Sequence, residues 1–199
     1  CYPRGVRVLG DRFELTELAA RGGMGAVWRG HDRLTGAAIA VKVVVGNGAR
    51  FAREAAVLAR LEHPGIVRYV AHGEAGGERF LAMEWLDGED MAARLARAPL
   101  TVAESVDLVR RAAEALGSAH AHGVVHRDIK PSNLFLRDGQ LEDLKVLDFG
   151  LAWLVDASRE LTRTGLVVGT LGYMAPEQAL GERQVDARTD VFALGCVLF

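Results

Sequence analysis

His126-Arg127-Asp128-Ile129-Lys130-Pro131-Ser132-Asn133 places an acid, a base and an amide within one short loop. Asp128 can accept a proton from an attacking hydroxyl. Lys130 can neutralise a phosphate oxygen, and Asn133 can hold a metal through its side-chain oxygen. Asp148-Phe149-Gly150, further along, supplies a second acid. Between them lie a turn at Asp138-Gly139 and the apolar run Leu144 to Leu147, which reads as a strand. Either triplet alone could arise by chance. Both in this order, at a hairpin's separation, single out one site.

The pattern H-R-D-x-x-x-x-N followed by D-F-G resembles the catalytic loop and metal-binding loop of the protein kinase family. Lys130-Pro131-Ser132-Asn133 resembles its Ser/Thr branch, and Gly22-Gly23-Met24-Gly25 resembles the eukaryotic-like (Hanks-type) Ser/Thr kinases of bacteria. The resemblance runs from about Phe13 to Phe199, with every motif in order. It implies an α+β, bilobal fold with a β-rich N-lobe and a mainly helical C-lobe. The implied boundaries are a leader over 1–10, an N-lobe with hinge over 11–86 and a C-lobe over 87–199. That C-lobe is expected to be incomplete, because the chain begins at Cys1 and stops at Phe199 inside an apolar run read as mid-helix. The implied reaction moves the γ-phosphoryl group of ATP, with Mg²⁺, to Ser or Thr hydroxyls of protein substrates.

In the N-terminal half, Phe13-Glu14-Leu15 alternates like a strand. Gly22, Gly23 and Gly25 can let a hairpin tip bring its N–H groups close to phosphates, although a glycine-rich turn alone reads only as a hairpin. Gly22, Gly25 and Val27 match the family pattern, and Ala20 stands where its first glycine is expected. Ala37 to Val45 is a β-branched run, a buried strand. Lys42 in its middle either snorkels or pairs with a buried anion. The resemblance makes it the lysine that binds the α- and β-phosphates, with Glu54 on the helix Arg50 to Leu61 as its partner. Ile66 to Val70 and Arg79 to Met83 read as strands joined through Gly73 to Gly77. Met83 to Gly88 marks a change from strands to helices. By resemblance, the backbone of Glu84 and Leu86 holds the adenine ring, Met83 guards the pocket behind it and Asp90 reaches the ribose. Val27 and Ala40 cover one adenine face and Phe135 the other, a role compatible with ordinary core packing.

In the C-terminal half, Asp90 to Ala98 reads as a short helix. Thr101-Val102-Ala103-Glu104 is a capping box opening a helix to about Ala121, with Val106, Val109, Ala113 and Leu116 inward. His120, His122 and His126 lack the spacing of a metal site, and His126 is expected to hydrogen-bond beneath the DFG segment. The resemblance assigns Asn133 and Asp148 to the metal. It makes Asp128, Lys130 and Asn133, with Lys42 and Glu54, the catalytic set. Leu151 to Tyr173 is a long threonine-rich segment. Thr170 is expected to bond Asp128 and Lys130, and Gly169 to Glu177 resembles a substrate-docking segment. The arginine that normally pairs with Glu177's equivalent would lie beyond Phe199. By the same resemblance Asp190 ties down the catalytic-loop backbone; capping a helix is the alternative, and the two roles are compatible. Arg127 next to Asp128 needs an anion if desolvated, and phosphate on Thr162 or Thr164 would suit it.

Composition narrows the alternatives. The chain has 199 residues, 50% hydrophobic and 25% charged, which is ordinary for a globular protein. With 24 Lys+Arg against 26 Asp+Glu, the net charge of −2 gives no support to nucleic-acid binding. Cys1 and Cys196 suggest no disulfide framework, which fits a reducing compartment, so the kinase domain reads as cytoplasmic; no run is long enough to span a bilayer, so no membrane contact is expected within this segment. A dimer for autophosphorylation is an expected partner state. The rival reading is a pseudokinase scaffold or ATP-binding signalling module. Such a module typically lacks the strand lysine, the catalytic Asp or the DFG Asp; Lys42, Asp128 and Asp148 are all present.

Overall fold

The computed structural model describes residues 7–22, 25–44, 48–149, 171–182 and 185–199. The chain divides into two compact units, Cys1–Arg60 with Arg68–Leu86, and Leu61–Val67 with Asp87–Phe199. The first is built on an antiparallel sheet of order β1-β2-β3-β4-β6-β5. Its strands are β1 (Arg7–Leu9), β2 (Phe13–Gly22), β3 (Gly25–Asp32), β4 (Ala38–Val44), β5 (Tyr69–Ala75) and β6 (Glu78–Glu84). Alternation along β4 decides what each face carries. Ile39, Val41 and Val43 join Leu9, Phe13, Leu15, Phe80 and Ala82 in one core. Ala40 and Lys42 therefore belong to the opposite face. Val27 and Leu81 are the direct cross-strand partners of Lys42, Met83 pairs with Ala40, and Ala20 pairs with Val27, so all share that face.

Helix α1 (Gly48–Leu58) buries Phe51 and Ala55, and the Phe51 ring meets His72 of β5 edge-on at 5.9 Å. Gly76 and Gly77, with φ of 59° and 78°, turn the β5–β6 hairpin. Helix α1 spans Gly48–Leu58 rather than the expected Arg50 to Leu61, and two further boundaries differ from the sequence expectation. Residues 7–9, assigned to a leader, form edge strand β1, because Leu9 is 3% exposed and completes the core beside Phe13. The expected strand from Ile66 starts at Tyr69. Ile66 instead bridges Val146, the Val67 amide donates to the Val146 carbonyl (3.1 Å), and the Val146 amide donates to Gly65 (2.8 Å). Those bonds place residues 61–67 in the second unit.

The second unit carries the sheet β7 (Gly88–Asp90), β8 (Leu134–Arg137) and β9 (Leu144–Val146). Its helices are α2 (Met91–Arg97), α3 (Val102–Ala121), α4 (Pro176–Ala179) and α5 (Ala187–Leu198). Helix α3 opens on the expected capping box of Thr101 and Glu104. Its buried stripe is Leu108, Ala112, Ala115, Leu116 and Ala119; of the expected Val106-Val109-Ala113-Leu116 stripe only Leu116 belongs to it, and Val106 is 55% exposed. Both sets have helical spacing, and in an alanine-rich helix the close approach of small residues sets the phase. No helix among the described residues is long and apolar enough to cross a membrane.

An ion pair between half-buried Arg12 and buried Asp32 pins the β3–β4 turn. Asp32, 1% exposed, takes two bonds from the Arg12 guanidinium (2.8 and 2.7 Å), one from the Leu34 amide (3.0 Å) and one from the Thr35 hydroxyl (3.1 Å). The Arg12 bond, more than any other contact, lowers the Asp32 pKa from 3.8 to about 2. A carboxylate held below its unfolded value stabilises the fold above that value and loses the contribution as pH falls through the folded one. The gain is about 2 kcal/mol near neutral pH. Asp32→Asn is expected to lower the urea-unfolding free energy by at least about that amount near neutral pH, with the gap to the parent shrinking toward about pH 2. A gap independent of pH would contradict this account of the turn.

Candidate functional site

The loop after α3 is positioned by a carboxylate far away in sequence. Asp190, in the first turn of α5, is 0% exposed. Its Oδ2 accepts the His126 amide (2.8 Å) and His120 Nε2–H (2.7 Å), and its Oδ1 accepts the Arg127 amide (2.7 Å). Asp186, not Asp190, caps α5, accepting the Arg188 amide (2.9 Å). The helix-cap alternative for Asp190 is thereby excluded. Arg127 is left-handed, with φ of 68°. That conformation costs a non-glycine residue about 1–3 kcal/mol and persists only where surrounding bonds impose it.

His126 is fully buried between these groups. Its Nε2–H donates to the Leu147 carbonyl (2.6 Å), and its Nδ1 accepts the Asp128 amide (3.2 Å). These two bonds select one neutral tautomer, and burial pushes the His126 pKa down, in keeping with a neutral ring. The ring also packs on Phe149 at 4.8 Å, beneath the DFG segment as expected.

Asp128 sits at the centre of the loop. Lys130 Nζ lies 2.8 and 3.1 Å from its two oxygens. Asn133 Nδ2 donates to the Asp128 carbonyl (2.6 Å) and to Oδ2 (3.1 Å). Pro131–Asn133 forms one 3-10 turn, which suits proline at its start. The Asn133 carbonyl accepts the Leu147 amide (2.9 Å), tying the loop to the segment that leads into Asp148. With Nδ2 directed at Asp128, the Asn133 amide presents Oδ1 as its remaining oxygen. Asp148, another left-handed residue with φ of 59°, supplies a carboxylate. Hard oxygen donors of this kind fit Mg²⁺, which binds through one or two protein ligands plus substrate phosphates.

The first unit carries the other predicted residues. Lys42 is 5% exposed on the sheet face shared with Ala20, Val27, Ala40 and Met83. Glu54 lies on α1, but its side chain is outside the described residues, as are Gly23 and Met24. Gly22 pairs with Gly25 at the β2–β3 hairpin. Gly25 has its own packing reason: at φ of 131°, a Cβ would fall 1.9 Å from the Val43 carbonyl oxygen. At the predicted hinge, the Glu84 amide donates to Arg68 (2.9 Å) and the Trp85 amide to Ala38 (3.3 Å), while Leu86 is buried. In the second unit, Asp90 caps α2 through the Ala93 amide (2.9 Å), and Phe135 is half-buried on β8 opposite Asp90 and Lys145.

Gly150 to Thr170 lies outside the described residues, and with it Ser158, Thr162, Thr164 and the expected Thr170 bonds. Past that stretch, Glu177 accepts the Thr189 hydroxyl (2.5 Å), which holds its carboxyl below the usual range. Two polar contacts have no local sequence signal. His120 reaches Asp190 across 70 positions, and Gln178 Nε2 donates to the Arg127 carbonyl (2.8 Å) across 51.

The model of the family described as protein kinase domain matches residues 13–199. The chain is 37% identical to the serine/threonine-protein kinase pkn2 of Myxococcus xanthus over 202 residues, covering 96% of this chain and 24% of that protein. It is 41% identical to the DNA damage-responsive serine/threonine-protein kinase RqkA of Deinococcus radiodurans over 201 residues, covering 96% and 30%. The chain thus spans about a quarter to a third of the length of these relatives. The crystal structure of a Mycobacterium tuberculosis PknI kinase domain, C20A mutant, superposes with a TM-score of 0.80 at 28% identity, covering 100% of this chain and 76% of that one.

Asp190 gives the site a stability test. Asp190→Ala leaves the His126 and Arg127 amides without their acceptor, and is expected to cost about 3–5 kcal/mol in denaturant unfolding. Asp190→Asn keeps one acceptor oxygen and is expected to lie between the Ala variant and the parent. Parental stability in the Ala variant would show that the loop is held by other means.

Proposed function

The chain belongs to the protein kinase family, and on that premise we propose that it transfers the γ-phosphoryl group of ATP to Ser or Thr hydroxyls of protein substrates. The carrying observation is the Asp128 carboxylate, held by Lys130 and Asn133 on a loop whose backbone is bound to buried Asp190. Phosphoryl transfer asks for positioning and charge stabilisation more than covalent chemistry. Asp128 orients the acceptor hydroxyl and takes its proton. An ordinary carboxylate suffices, because that proton moves late in a loose transition state. Lys130, already beside Asp128, balances charge on the moving phosphoryl group.

Asn133 Oδ1 and the Asp148 carboxylate would hold Mg²⁺, and the ion would supply charge neutralisation of the phosphates. Lys42, with Glu54 as its partner, orients the α- and β-phosphates. The glycine-rich hairpin from Ala20 through Gly22, Gly23 and Gly25 covers them with backbone N–H groups. Val27, Ala40 and Phe135 contact the adenine faces, the backbone of Glu84 and Leu86 its edge, Met83 the space behind it and Asp90 the ribose. The support for the first-unit assignments is that Ala20, Val27, Ala40, Lys42 and Met83 share one sheet face. Regulation by autophosphorylation at Thr162 or Thr164, in a dimer and in the cytoplasm, completes the proposal. It rests on where those threonines fall in the sequence and on the bacterial Ser/Thr kinases that the chain resembles.

In the full-length parent protein, Asp128→Asn is expected to lower phosphorylation of a generic basic protein by about a hundredfold or more, while ATP still binds. Asp148→Asn is expected to weaken Mg²⁺-dependent ATP binding as well. Mass spectrometry after ATP treatment should find phosphate on Thr162 or Thr164 in the parent and none in the Asp128→Asn protein. Parental turnover in both variants would refute the assignment.

A further inference from the structure

We propose that Gln178 is a positioning residue for Asp128, acting through the peptide group that joins Arg127 to Asp128. The inference rests on the phosphotransfer reading above and adds a residue to it. Gln178 lies on α4, directly after Ala175-Pro176-Glu177. Its Nε2–H donates to the Arg127 carbonyl at 2.8 Å, and its Oε1 accepts the Ala175 amide at 3.3 Å. One partner is purely an acceptor and the other purely a donor, so the amide has only one orientation that satisfies both.

The bond falls on a specific peptide. The Arg127 carbonyl and the Asp128 amide belong to the same planar unit. Gln178 holds the carbonyl, and His126 Nδ1 holds the amide at 3.2 Å. The preceding peptide is fixed by the Arg127 amide on Asp190 at 2.7 Å. Arg127, at φ of 68°, sits between them in a conformation that needs outside support. Release of the Gln178 bond frees one end of the plane that carries the Asp128 Cα. Rotation of that plane swings the carboxylate away from the acceptor hydroxyl, and a displacement of about 1 Å can cost about a hundredfold in rate. Asp190 comes from α5 and Gln178 from α4, so Gln178 ties segment 171–182 to the loop through its bond to the Arg127 carbonyl, while its bond to the Ala175 amide fixes its own orientation within that segment.

The test uses Gln178→Met and Gln178→Glu in the full-length parent protein, with steady-state kinetics on MgATP and a protein substrate. Met matches the shape and makes neither bond. It is expected to lower kcat by about tenfold to a hundredfold, with KM for ATP changed by less than about twofold. Glu carries a donor only when protonated. Its activity relative to the parent is expected to be low near neutral pH and to rise as the pH falls through about 5 toward about 4, where a protonated carboxyl, favoured by the Arg127 carbonyl, can donate to it and still accept from Ala175. A residue that serves stability alone would shift the melting temperature without giving the Glu variant this pH profile. Hydrogen exchange of the Arg127 and Asp128 amides supplies an arm that needs no turnover, and both are expected to exchange faster in the Met variant. Parental kcat in the Met variant, or a Glu profile parallel to the parent's, would overturn the proposal. If the parent transfers no phosphate, the phosphotransfer reading fails and exchange alone decides. Unchanged protection then overturns the positioning role, and faster exchange upholds it.

Discussion

The buried carboxylate of Asp190 is the constraint on which the second unit's chemistry depends. A carboxylate with no exposure is tolerable only when donors surround it, and here the donors are the His126 and Arg127 amides and one imidazole. The hydrogen bonds from the His126 and Arg127 amides to Asp190 offset both the cost of burying the charge and the cost of the left-handed Arg127, and they form only in the native arrangement. Remove the carboxylate and Arg127 has no reason to stay at positive φ. Remove the turn and Asp190 has too few donors. The loop is held in one geometry because the alternatives leave a buried polar group unmatched. The neutral His126 ring extends the same logic, with one nitrogen on Asp128's own amide and the other on the carbonyl just before Asp148.

The first unit obeys a simpler constraint, the two-residue period of its central strand. With Ile39, Val41 and Val43 committed to the core, Lys42 has to lie on the other face, in the row of Val27 and Leu81. Register is held by Gly25, where any side chain would collide with the Val43 carbonyl, and by Asp32, which clamps the following turn. Gly25 therefore answers to sheet packing as well as to any ligand.

Sequence patterns made the capping box of α3, the hydrogen bond of His126 beneath Asp148-Phe149 and the kinase fold legible, because each is a local spacing with a local physical reason. Asp190 was legible only through its resemblance to a family position. What the sequence hid was long-range or degenerate. Arg12 with Asp32, His120 with Asp190 and Gln178 with Arg127 join residues with no periodic relation to each other. In α3, alanines on several faces let two stripes fit the same spacing, and only packing chose Leu108, Ala112, Ala115 and Ala119. Strand β1 was missed because three residues are too short for alternation to register, and Leu9 declares itself only once Phe13 and Phe80 surround it.

All of these contacts converge on one chemical claim, that the loop around Asp128 exists to direct a phosphoryl group onto a protein hydroxyl. The most direct test is the identity of the product. Full-length protein, MgATP labelled at the γ-phosphate and a mixed protein substrate, followed by acid hydrolysis, should yield label on phosphoserine and phosphothreonine. Label recovered solely as inorganic phosphate or on a small molecule, or no transfer at all, would contradict the account.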